Sequence, residues 1–83
     1  MKSARAIGPA VYFGPYRTFF NRDVTITIPY RRLLALGKMD KVKAYIYNHV
    51  TQDWDSIESE QVANGKVVFK TKVLGLFRAG VEK

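Results

Sequence analysis

The chain has 83 residues, no cysteine, and fourteen Lys and Arg against seven Asp and Glu, a formal net charge of +7. That length makes one small domain. The absence of cysteine excludes disulfide staples and thiolate metal sites, and an apolar share of 47% excludes a disordered composition. The basic excess favours anionic partners and says nothing of fold.

The N-terminal residues Met1–Ala6 read as a frayed tail, with residues 1–8 as a flexible lead-in. They carry no apolar stretch of the kind a secretory signal needs. The longest apolar run, Leu33-Leu34-Ala35-Leu36, falls far below a membrane span of ~20 residues. Gly8-Pro9 punctuates the chain. Ala10–Phe13 reads as a short strand stopped by Gly14-Pro15. A connection carrying Phe19 and Phe20 follows.

Asp23–Ile28 is the clearest strand. Val24, Ile26 and Ile28 share one face and Thr25 and Thr27 the other. Pro29 ends it by removing a donor. At most one short helical turn is predicted over 30–36, with Gly37 at its C-terminal cap. Leu33, Leu34 and Leu36 would lid one end of the sheets.

Lys41–Ile57 is expected to form the organising hairpin. In its first strand Val42, Ala44 and Ile46 face inward, while Lys43, Tyr45 and Tyr47 face outward. Asn48–Gln52 supplies turn chemistry. The return strand Asp53–Ile57 has Trp54 as its only large anchor, expected in the core. Glu58–Ala63 reads as a polar loop. Asn64-Gly65 is the strongest two-residue hairpin signal, followed by strand Val67–Lys72 and a last strand over Leu74–Ala79.

Five or six short strands at this spacing predict an all-β, small antiparallel sandwich. The expected core is Val11, Phe13, Phe19, Val24, Ile26, Ile28, Val42, Ala44, Ile46, Trp54, Ile57, Val67, Phe69, Leu74 and Leu76.

The order of pieces resembles the C-terminal part of a ZU-five-type domain, the β-sandwich of zona-occludens proteins, netrin receptors and ankyrins. The residues that carry the likeness are Tyr12, Gly14-Pro15 and Thr18-Phe19, then Asp23–Tyr30 (DVTITIPY), Lys41–Tyr47, Asp53-Trp54 and Asn64–Phe69. It spans about Val11–Val81. Some members cut their own backbone inside a His-Phe-Ser tripeptide, where the hydroxyl attacks the preceding carbonyl. Here that tripeptide falls on Val73-Leu74-Gly75, which has neither imidazole nor hydroxyl, so the resemblance implies no self-cleavage. It also implies further strands before the matched part. Half a sandwich would leave an apolar face uncovered, and self-association by sheet stacking or strand exchange is the expectation.

No catalytic set emerges. His49 lacks a partner histidine or cysteine and reads as a turn residue. Asp53, Asp55, Glu58 and Glu60 lack calcium-loop spacing and read as a solvated acidic loop. Ser3, Ser56 and Ser59 have no evident base. No catalytic, cofactor or metal residue is assigned, and no cofactor is implied.

The expected partner is a second copy or another protein. The contact residues would be Arg31, Arg32, Lys41, Lys43, Tyr45, Tyr47, Lys70 and Lys72, with a basic patch around Lys43, Lys70 and Lys72. The alternative is a small basic nucleic-acid-binding barrel, with Tyr16, Phe20, Tyr45 and Tyr47 stacking on bases beside a basic set that adds Arg17, Arg22 and Lys66.

Overall fold

A computed structural model describes residues 4–15 and 18–82. Among the described residues eight strands run in chain order: β1 (Ala4–Ala6), β2 (Val11–Tyr12), β3 (Phe19–Pro29), β4 (Val42–Asn48), β5 (Asp53–Ile57), β6 (Ser59–Ala63), β7 (Lys66–Val73) and β8 (Leu76–Glu82). Between β3 and β4 lie two 3-10 turns, Arg32–Ala35 and Met39–Lys41. The fold is all-β, as the alternation predicts.

All pairings are antiparallel. One sheet has the order β1-β8-β4-β5, with β2 also on β8; the other has the order β3-β7-β6. The side-chain period of two explains how they stack. Val42, Ala44 and Ile46 pair with Val81, Ala79 and Phe77 on the inner face of the first sheet. Val24, Ile26 and Ile28 pair with Thr71, Phe69 and Val67 on the inner face of the second. Phe69 and Phe77 meet across the core at 5.1 Å between ring centroids, and Phe13 stands edge-on to Phe77 at 5.9 Å.

Each sheet thus covers the other within one chain, and the uncovered apolar sheet face expected from the resemblance is not found among the described residues. Both flanks are also bridged. On one flank, the Ile7 amide donates to the Ala79 carbonyl (3.0 Å), and the Ile7 carbonyl accepts from the Arg31 amide (2.8 Å). On the other, β5 and β6 are separated by Glu58 alone as the chain passes from one sheet to the other. There the Ser59 hydroxyl donates to the Val42 carbonyl at 3.3 Å.

Several expectations are corrected. Ala4–Ala6 is a strand, not a frayed tail: Ala4 and Ile7 are buried, and β1 holds the edge of β8. Met1–Ser3 lie outside the described residues. Glu58–Ala63 holds β6 rather than a loop, because the Asn64-Gly65 turn, with φ of 54° and 77°, returns it along β7. In β8 the inward parity belongs to Phe77, Ala79 and Val81, so Leu76 is not core.

Trp54 is only half-buried. The register places it opposite Tyr47 on the outer face, where the two rings meet edge-on at 5.3 Å. Phe19 is exposed as well. β3 carries a bulge between Phe19 and Val24, five residues advancing against two on β7.

Candidate functional site

The expected contact residues fall into three places. Lys43, Tyr45 and Tyr47 are on the outer face of the first sheet, opposite in side to the core residues of β4. Lys70 and Lys72 are on the outer face of the second sheet, since the residues that alternate with them, Phe69 and Thr71, point inward. Arg31, Arg32 and Lys41 belong to the connection between β3 and β4. The patch expected around Lys43, Lys70 and Lys72 is therefore not formed, because the core separates its members. Lys43 is paired with Glu82 at 3.5 Å and Lys70 with Glu60 at 3.4 Å. Tyr16 and Arg17 lie outside the described residues.

The Tyr45 side chain is buried although it sits on the outer face. Burial pushes its phenol above the usual tyrosine value, and the negative charge of Glu82 adds to the rise. Among the described residues no group of three His, Cys, Asp or Glu side chains is arranged to hold a metal ion.

What the fold does assemble are two apolar surfaces, one at each end of the strands. At the first end, the start of β3, the β4–β5 turn and the β7–β8 connection converge on a cleft of about 530 Å³. Its apolar wall is Phe19, Ile46, Tyr47, Val50, Val73 and Leu74, with Asn48 and Asp55 as its polar members. The turn that forms one lip is locally determined. The Asn48 side-chain carbonyl accepts from the Val50 amide (2.9 Å) and the Thr51 amide (3.3 Å), and its NH2 donates to Asp55 Oδ2 at 3.1 Å. The turn thereby thrusts Val50 outward, 81% exposed, facing the cleft that Phe19, 74% exposed, also borders.

At the opposite end, the connection from β3 to β4 forms a lobe. One turn of 3-10 helix can bury only one side, and the side it buries is Ala35. Leu33 (81% exposed) and Leu36 (70% exposed) point to solvent, with Leu34 and Met39 partly so. The expected leucine lid is therefore inverted: a small residue plugs the end, and the leucines stand outside. Gly37 at φ +74° turns the chain between the two helical turns.

The β3–β4 connection and the β4–β5 turn differ in charge, while the start of β3 and the end of β7 add Arg22, Asp23 and Lys72 near the cleft. Residues 31–41 hold Arg31, Arg32, Lys38 and Lys41 against Asp40, and residues 48–55 hold Asp53 and Asp55 with no Lys or Arg.

Sequence reasoning missed both surfaces, although each left a signal. Val50 is the one aliphatic residue in a polar turn. Leu33-Leu34-Ala35-Leu36 is a continuous apolar run in an element one turn long, so it cannot all face one way. A comparison with protein-family models, curated proteins and solved structures finds no match to this chain.

Proposed function

We propose that this chain is a non-enzymatic protein–protein interaction module that associates with itself. The observation that carries the reading is the concentration of exposed apolar side chains at the two ends of the strands: Phe19 and Val50 at one, Leu33 and Leu36 at the other. Single exposed apolar residues are ordinary, whereas clustered ones mark contact surfaces. The test is the solution mass of the full chain by sedimentation from micromolar to millimolar concentration. A mass that rises with concentration is expected, and a single-chain mass throughout overturns the proposal.

The nucleic-acid reading rests on the net charge of +7. Against it stands the separation of its parts. Tyr45 is buried, Tyr47 is engaged with Trp54, and Lys70 and Lys72 are on the other sheet. Single-strand binders need stacking rings beside the basic track. Retention on heparin at low salt, with a steep loss as salt is added, would favour it instead.

A further inference from the structure

Self-association leaves open which surfaces meet. We infer that copies of this chain join head to tail, the leucine lobe of one seating in the cleft of the next. The inference rests on the self-association proposed above and adds its geometry.

Three observations point the same way. The shapes are unlike and complementary in kind: the cleft between Phe19, Val50 and Leu74 is concave, whereas Leu33 and Leu36 project from a lobe. The charges match across the contact. Asp55 lines the cleft, with Asp53 two residues before it on the same strand, while Arg31, Arg32 and Lys38 flank the leucines. A lobe-to-lobe contact would instead bring two basic surfaces together, and a cleft-to-cleft contact would set Asp55 against Asp55.

The positions are also polar. β3 leaves the cleft at Phe19 and reaches the lobe at Pro29, and β4 leaves the lobe at Val42 and returns to the cleft at Asn48. A contact between two different patches is heterologous, so it repeats without a two-fold axis. It yields an open chain of subunits unless the rotation happens to close a ring.

The alternatives on the same molecule are weaker. The edge of β5 is marked by Asp53 and Asp55, charges that oppose strand pairing with a second β5. The cleft lined by Ile7, Gly8, Pro9, Arg31, Leu34 and Arg78 is closed at its base by the Arg78 Nε donation to the Gly8 carbonyl at 2.7 Å. Those groups already hold β8 to the β1–β2 connection.

The test uses two variants of the full chain, Leu33→Asp in the lobe and Val50→Asp at the cleft. Both positions are exposed, so thermal melting should match the parent. Each variant alone should lose association, at least tenfold in dissociation constant. Mixed in equal amounts they should form a complex of two chains and no larger, because the intact lobe of Val50→Asp fits the intact cleft of Leu33→Asp and the other two surfaces are blocked. If the parent stays a single chain at all concentrations, self-association itself fails. If the parent associates but the mixture stays monomeric, or either variant still associates like the parent, the head-to-tail geometry is wrong and self-association stands.

Discussion

At the scale of single residues, position in the register outweighs residue type. Phe77 and Trp54 are both large aromatics in the same sheet, yet Phe77 is fully buried between Phe13 and Phe69, whereas Trp54 is half-buried on the outer face against Tyr47. Phe77→Ala should cost about 3–5 kcal/mol. Trp54→Ala should cost about 1–2 kcal/mol, the value of one edge-on pair and partial burial. Urea titration ranks them, and an equal loss from the two would show that the outer face is as tightly packed as the core.

Glycines divide in the same way. A Cβ on Gly8 would lie 2.4 Å from the Pro29 carbonyl oxygen and 3.2 Å from Tyr30 Cα, both backbone. Gly8→Ala must therefore push the Ile7–Arg31 bridge apart, and a loss of about 2–3 kcal/mol is expected. Gly37 has open space around its Cβ position, so Gly37→Ala should lose only about 1 kcal/mol from its positive φ. Comparing the two melting points tests whether the flank bridge is part of the cooperative fold.

Tyr45 gives a pH signature. Its folded value is raised by burial and then by Glu82, so the folded state holds the phenol proton longer than the unfolded chain does. Stability is unaffected below the unfolded value of about 10 and falls as pH rises beyond it. Tyr45→Phe should flatten that alkaline decline, and an unchanged slope would assign the decline to other groups.

At the scale of elements, alternation was legible wherever a strand buries one face against a single sheet. β3 from Val24, β4 and β7 each show period two in the sequence, and the structure keeps their inward sets: Ile26, Ile28, Val42, Ala44, Val67 and Phe69. Asn64-Gly65 fixed its hairpin because two successive positive φ values exclude most other residues.

What was hidden depends on partners distant in sequence. Ala-Arg-Ala over residues 4–6 has no strand signal, and it becomes β1 only because β8, more than seventy residues later, offers an edge. The parity of β8 is masked in the sequence because Leu74 and Leu76 suggest one phase, while the Gly75 region turns the chain and Phe77 opens the other. The same connection holds Val73-Leu74-Gly75, where the sequence resemblance would place the cleavage tripeptide. Here the Gly75 carbonyl accepts from the Phe13 amide at 2.8 Å, and Gly75 itself carries no hydroxyl. Intact mass should remain that of the whole chain after prolonged incubation. The candidate surfaces were less legible than the fold, because exposure of Phe19 follows from the β3 bulge and exposure of the leucines from the burial of Ala35.

At the scale of the molecule, the sign of the salt effect separates the two functional readings. Burying Leu33, Leu36, Phe19 and Val50 gives about 6–12 kcal/mol at ~1.5–3 kcal/mol per side chain. That is comparable with the ~4–15 kcal/mol cost of association, so the contact is weak and small terms decide its strength. The largest such term is repulsion between two bodies of charge +7. With centres spaced by the longest dimension, 36 Å, Coulomb's law in water gives about 6 kcal/mol before screening. With Debye lengths of ~30 Å at 0.01 M and ~8 Å at 0.15 M, this falls to about 2 kcal/mol and then to nearly nothing. Contact pairs such as those of Asp55 with an incoming arginine are shorter-ranged and lose less. Self-association should therefore strengthen by roughly tenfold between 0.01 and 0.15 M salt, at 1.4 kcal/mol per decade. Polyanion binding runs the other way, because each neutralised phosphate releases counterions that added salt opposes. Sedimentation across that salt range measures the first and heparin elution the second. A dissociation constant that rises with salt would mean that the Asp55–arginine attraction, not the apolar contact, holds the copies together.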